Sequence, residues 1–203
     1  MMRTVLLLLI GVLCCSLFAF KNPQPISMIG KAVPDFTLRN VDHRLVALKD
    51  YPNAKGFCVV FTCNHCPFAK LYSQRLNKLN THYTALGVPL IAINPMDTLV
   101  YDEERFEKMQ TKAQEDHFTF AYLQDAAQSV AKSFGANHTP HAFVIWKENN
   151  QWIIKYAGAI DDNGEAPEKA ISFLALAIDE LLAHKPVSKP ETPSFGCRIF
   201  YRK

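Results

Sequence analysis

Glycine is scarce in this chain, with 8 in 203 residues, and no segment carries a long run of charges of one sign. The first shortage excludes collagen-like and glycine-rich low-complexity chains. The second argues against nucleic-acid binding, which needs a clustered basic face; the formal net charge of +3, from 22 Lys plus Arg against 19 Asp plus Glu, is too small and too dispersed to supply one. Six cysteines are too few for a disulfide scaffold, so each is read by position and spacing. No internal repeat is present, and no apolar run reaches the roughly 20 residues that a membrane-spanning helix needs. What remains, 49% hydrophobic and 20% charged, is the composition of one globular domain with an extension.

The extension is at the start. After Met1, Met2 and Arg3, the stretch Val5–Phe20 carries no charge and closes on Ser16-Leu17-Phe18-Ala19 before Lys21, Asn22, Pro23 and Pro25. This is the pattern of a secretory signal cut near Ala19, with an uncleaved N-terminal anchor as the alternative, so residues 1–20 are read as signal or anchor. Cys14 and Cys15 lie inside it, preceded by Val12 and Leu13 rather than by the small residues of a lipidation site. An exported chain would reside in the periplasm or cell envelope, touching membrane only if the segment is uncleaved. Four cysteines, Cys58, Cys63, Cys66 and Cys197, would then face a compartment where disulfides persist.

Beyond a Pro-punctuated lead-in, Phe36-Thr37-Leu38 and Leu45-Val46-Ala47-Leu48 flank a turn at 40–43 and predict a hairpin. The continuous apolar runs 57–61 and 88–93 suit strands buried on both faces. Phe68, Leu71, Tyr72, Leu76, Leu79, Tyr83 and Leu86 recur at helical spacing after Pro67 and end at Gly87. A polar helix over 102–115, a strand over 118–123, a helix over 125–134 closed by Gly135, a hairpin of 142–146 with 152–156 and a helix over 167–183 complete an α/β domain at 21–185. Its central mixed sheet is flanked by helices. Residues 186–203 carry three prolines and are read as a tail without structure of its own.

The chemistry lies at Cys63-Asn64-His65-Cys66, between a buried strand and a helix. A C-x-x-C at that junction is a thiol-disulfide signature, because its spacing lets two thiols close a small ring. Free N–H groups and the helix dipole predict a thiolate on the first sulfur, Cys63, which His65 would tune. A half zinc site is the alternative, but no second C-x-x-C exists to complete it. Cys58, mid-strand, reads as inert packing, and Cys197 as a candidate third redox thiol, a partner for Cys58, or a spare. Asp161 and Asp162 read as turn or cap residues rather than cation ligands.

Thr139-Pro140 precedes the later hairpin, and at this place the sequence resembles the thioredoxin superfamily. Pro34-Asp35-Phe36-Thr37-Leu38, Phe61-Thr62-Cys63-Asn64-His65-Cys66-Pro67, Thr139-Pro140-His141, Tyr156 to Asn163 and Gly196-Cys197-Arg198-Ile199 narrow it to the thioredoxin-like redoxin, or alkyl hydroperoxide reductase and thiol-specific antioxidant, proteins of bacteria. The resemblance implies a thioredoxin-like fold with an N-terminal β-hairpin and a central insertion, and a thiol-disulfide oxidoreductase. It implies Cys63 as nucleophile, Cys66 as resolving thiol, and Thr139 with a cis Pro140 holding the substrate backbone. It also implies no cofactor and no metal; the partners would be protein thiols or disulfides and a redox partner. His43 departs from the glycine usual in such hairpin turns, and Asn64-His65 replaces the Gly-Pro of thioredoxin, so the direction of electron flow stays open. Antioxidant peroxide reduction is the nearest rival, although Val60, three residues before Cys63, offers no hydroxyl of the kind peroxiredoxins place there. Cu(I) delivery, through Cys63 with His138 or His141, is the other.

Overall fold

The computed structural model describes residues 27–203. The segment read as a signal or anchor, with Cys14 and Cys15, lies outside the described residues. Among them no helix is long and apolar enough to cross a membrane.

The sheet is organised around β4 (Gly56–Phe61), every residue of which is buried. Alternation sends Phe57, Val59 and Phe61 into one hydrophobic core and Cys58 and Val60 into another on the opposite face. β4 pairs in parallel with β5 (Leu90–Asn94) and antiparallel with β8 (His141–Glu148), which turns back into β9 (Gln151–Gly158). β5 pairs in parallel with β6 (Ala121–Gln124). β6 in turn pairs with β2 (Thr37–Asn40), whose hairpin mate is β3 (Leu45–Ala47). A two-residue strand absent from the sequence reading, β1 (Ala32–Val33), closes the other edge against β9. The result is a mixed eight-stranded sheet of order β1-β9-β8-β4-β5-β6-β2-β3. In the β2–β3 turn His43 adopts φ +71°, and its ring bonds to Arg39 and Gln110.

Helices appear where the apolar spacing places them, with shorter bounds. The helix expected after Pro67 is broken into α1 (Pro67–Lys70) and α2 (Ser73–Thr84), because the Tyr72 N–H turns back to Ala69 and its hydroxyl is held by Asp161. The expected 102–115 helix is a 3-10 turn, Asp102–Glu104, followed by α3 (Phe106–Glu115). Asp125 lies outside α4 (Ser129–Phe134), its carboxylate accepting the N–H groups of Ser129 and Ala131. The last helix, α5 (Phe173–Leu182), starts later than expected, capped by Ser172.

The tail differs most from expectation. Two short strands, β7 (His138–Thr139) and β10 (Cys197–Arg198), pair antiparallel with Cys197 opposite Thr139. Beyond them Ile199 is 3% exposed, and the Tyr201 hydroxyl bonds to the Ala136 carbonyl. The tail is thus packed along the domain by side-chain and backbone bonds that no periodicity announces.

Candidate active site

β4 ends at Phe61, the Thr62 N–H still bonding to Ile93, and the chain then turns through Cys63-Asn64-His65-Cys66 into α1. Cys66 is the N-cap and Pro67 the first helical residue, where a missing N–H costs nothing. The Thr139–Pro140 peptide bond is cis and brings Thr139 onto both sulfurs. The Thr139 hydroxyl lies 3.0 Å from the Cys63 Sγ, and the Cys66 thiol lies 3.1 Å from the Thr139 carbonyl oxygen. Cys63, Cys66 and Thr139, singled out from sequence on separate segments, therefore converge. Neither Cys63 nor Cys66 has exposed surface.

The central insertion between β5 and β6 contributes what the sequence did not reveal. Glu104, fully buried, accepts from the backbone N–H of Asn64 at 2.9 Å and of His65 at 2.9 Å, from His65 Nδ1 at 2.6 Å and from Asn94 Nδ2 at 2.6 Å. Asn64 is pinned further by donation to the Glu103 carbonyl and by the buried Tyr122 hydroxyl, and the His65 ring stacks on Tyr101 at 4.3 Å. Burial of such a network is tolerated only when its members are paired, as these are. No sequence signal marks Glu104, the third acid of the run Asp102-Glu103-Glu104.

This arrangement changes which sulfur holds negative charge. The N–H groups expected to favour a Cys63 thiolate are taken by Glu104. The hydrogen bond to Cys66, burial and the Glu104 carboxylate together push the Cys63 thiol up. Cys66 is held below the usual thiol range, first by the bond from Cys63 and then by bonds from Cys197 and the N–H of Ala69, against burial. The early thiolate predicted for Cys63 is therefore opposed by burial and by the Glu104 charge.

Cys63, His65 and Glu104 offer ligand atoms within 4.8 Å of one another. Both carboxylate oxygens already serve N–H donors, so a cation there would have to displace His65 and Asn94. The histidines weighed for copper do not converge on the sulfurs. His138 faces Asn137 and Ser194, and His141 accepts from the Asn137 N–H and packs on Phe143. Cys58 is buried among apolar side chains on the far face of β4, and burial pushes its thiol up. It does not meet Cys197, whose N–H points at the Cys66 Sγ from 3.4 Å. Asp161 pairs with Arg75 and accepts from Tyr72, and Asp162 accepts from the Ile171 N–H, both fastening the segment before α5. A groove beside the dithiol is rimmed by the exposed Phe68, Leu71 and Phe195 around Pro140.

A mixed sheet flanked by helices, a C-x-x-C at a strand-to-helix junction and a cis-proline loop against both sulfurs define a protein of thioredoxin-like fold with a dithiol centre. A family model described as AhpC/TSA family matches residues 29–163, and the chain belongs to that family. Among curated proteins it is similar to the thiol-disulfide oxidoreductase ResA of Geobacillus thermodenitrificans (strain NG80-2), 29% identical over 148 residues, which cover 72% of this chain and 80% of that one. Among solved structures it is similar to a hypothetical protein of Sinorhizobium meliloti 1021, with TM-score 0.79 and 31% identity over 88% of this chain and 97% of that one. A third likeness is an uncharacterized conserved protein of Geobacillus kaustophilus, with TM-score 0.77 and 34% identity over 86% and 92% of the two chains.

Proposed function

We propose that this protein is a thiol-disulfide oxidoreductase that exchanges disulfides with protein thiols through Cys63 and Cys66. The observation that carries the reading is the pair of cysteines at the start of α1, both touching Thr139. The similarity to a thiol-disulfide oxidoreductase named ResA supports it. In the reducing direction Cys63 gives up its proton, and the Cys63 thiolate attacks one sulfur of a substrate disulfide. That bond breaks, the other substrate sulfur leaves as a thiol, and Cys66 then attacks the Cys63 sulfur to free the second. Two electrons move to the substrate and a Cys63–Cys66 disulfide remains; the oxidising direction runs the same steps backwards. His65 and Glu104 are positioning residues, fixing the loop that carries Cys63, and Thr139-Pro140 is where the substrate backbone would lie.

Peroxide turnover is less well served. Val60, three residues before Cys63, offers no hydroxyl to hold a peroxide, and Cys66 is sealed beneath Thr139 and Cys197. The uncharged run Val5–Phe20 supports export to the envelope as part of this proposal, with residues 21–185 as the redox domain. The test is disulfide exchange on a model protein disulfide. Cys63→Ser should fall to background, and Cys66→Ser should accumulate a substrate joined to Cys63. Wild-type exchange by Cys63→Ser would overturn the reading.

A further inference from the structure

Cys66 lies against a second cysteine besides Cys63. The tail carries Cys197 to it: β10 pairs with β7, the Cys197 N–H points at the Cys66 Sγ from 3.4 Å, and the Cys197 carbonyl lies 3.5 Å from the Thr139 hydroxyl. Thr139 thus contacts all three cysteines. The approach is close enough to demand a glycine. Gly196 has φ +143°, and a Cβ there would collide with the Thr139 carbonyl oxygen.

The docking continues past the cysteine. The Ile199 N–H bonds to the Asn137 carbonyl at 2.9 Å, Gln128 bonds to the Phe200 carbonyl and to the Arg202 N–H, and Arg202 pairs with Asp97 at 2.6 Å. With the tail in place Cys63 and Cys66 have no exposed surface, while Cys197 is part-exposed. Of the three clustered thiols it is the one that meets solvent.

We propose that Cys66 is the shared sulfur of two alternative disulfides, Cys63–Cys66 and Cys66–Cys197, and that β10 holds Cys197 in the site as a tethered substrate which relays oxidation between the buried pair and outside thiols. The relay rests on the dithiol reading above and adds a step to it. Cys197 gives its proton to water, and its sulfur attacks the Cys66 sulfur of the Cys63–Cys66 disulfide. The bond between Cys63 and Cys66 breaks, the electron pair leaves on the Cys63 sulfur, and that sulfur takes up a proton. Cys197 is oxidised and Cys63 reduced, with no net electron change. An outside thiolate then attacks the Cys197 sulfur, Cys66 leaves as a thiol, and a second thiol releases Cys197, so two outside thiols end as one disulfide. Run in reverse, the same steps reduce an outside disulfide.

The experiment is oxidation of the full chain in graded glutathione buffers, followed by alkylation and peptide mapping. Cys197→Ser should form the Cys63–Cys66 disulfide, and Cys63→Ser and Cys63→Ala should each form an intramolecular Cys66–Cys197 disulfide as monomers. Cys58 should stay reduced throughout. The relay is overturned if, in buffers that oxidise Cys63–Cys66 in Cys197→Ser, both Cys63 variants keep Cys66 and Cys197 free or attach glutathione to each singly while melting like the unsubstituted protein. If those variants instead melt early, the unsubstituted protein decides: a Cys66–Cys197 fraction supports the relay and its absence at every potential overturns it. Failure of Cys197→Ser to form Cys63–Cys66 overturns the dithiol reading itself, and the relay with it.

Discussion

Glu104 does at the residue scale what a free helix N-terminus was expected to do in reverse. Its carboxylate takes the backbone N–H groups of Asn64 and His65 and sets a negative charge beside Cys63, so the loop is rigid and the first sulfur keeps its proton. Glu104→Gln preserves the shape but turns one acceptor into a donor facing other donors, which costs about 1–3 kcal/mol. It also lifts the charge that opposes ionisation, so Cys63 should alkylate at lower pH than in the unsubstituted protein. Urea unfolding and the pH profile of iodoacetamide labelling at Cys63 check both, and an unmoved profile would mean the carboxylate does not act on the sulfur. Glu104 was illegible because three consecutive acids read as the start of a polar helix; only the path of the insertion buries the third. The cysteines were legible because spacing and position alone constrain them. His141 makes a different prediction. Burial, aided by the charge of His138, pushes its pKa down from 6.5 to about 4. Between those values the unfolded chain binds a proton that the folded chain refuses, so stability falls as pH drops through the window, by up to about 3 kcal/mol. Asp125, whose carboxyl is pushed up by burial, offsets part of this loss by taking up a proton when folded. His141→Gln keeps an acceptor for the Asn137 N–H and should flatten the loss between pH 6.5 and 4, measured as urea midpoints. An unchanged slope would assign the loss elsewhere.

At the scale of elements, β10 is two residues long yet closes the site. Its hold comes from the close approach at Gly196, the backbone pairing with β7, and Ile199 and Tyr201 packing on the core further on. Gly196→Ala forces either a strained left-sided backbone, at about 1–3 kcal/mol, or release of the strand from Thr139. Release is the cheaper course where the segment is short, so Cys66 should become reactive to alkylation while most of the melting transition is retained. Equal Cys66 labelling rates in Gly196→Ala and the unsubstituted protein would show that β10 does not cover the thiol. The length over which a pattern runs explains which elements were legible and which were not. The strands at 57–61 and 142–146 were legible because burial on both faces writes a continuous apolar run, and α2 and α5 because one buried face repeats at helical spacing. The tail, with prolines at 186, 190 and 193, turns only Cys197, Ile199 and Tyr201 to the core in alternation, too short a run to stand out, and β1 is shorter still. The split between α1 and α2 was hidden too, because Tyr72 satisfies the helical pattern while its hydroxyl is drawn to Asp161, 89 residues further along the chain.

For the whole molecule, the balance between dithiol and disulfide is set by how folding treats each form. The reduced centre collects the contacts of Thr139 with both sulfurs and the N–H groups of Ala69 and Cys197 on Cys66. Closing the disulfide removes the thiol donors and the held charge, and bonds to charged groups are worth about 1.5–3 kcal/mol each. Against this, a ring spanning only Cys63 to Cys66 restrains the unfolded chain by about 2 kcal/mol. Two or more such bonds outweigh one short loop, so the reduced protein should be the more stable form, by about 2 kcal/mol. By the thermodynamic cycle, folding then raises the potential of the pair by about 40 mV relative to the same two cysteines in the unfolded chain. Urea unfolding of Cys197→Ser, which can close only the one disulfide in this cluster, gives the comparison directly when run with and without reductant. A higher midpoint for the reduced form, together with a potential above that of a short unfolded C-x-x-C peptide, is the expected result. A disulfide form that outlasts the reduced one would mean that the sulfur hydrogen bonds contribute less than the loop, and that the folded domain is built to keep its disulfide closed and to deliver electrons outward.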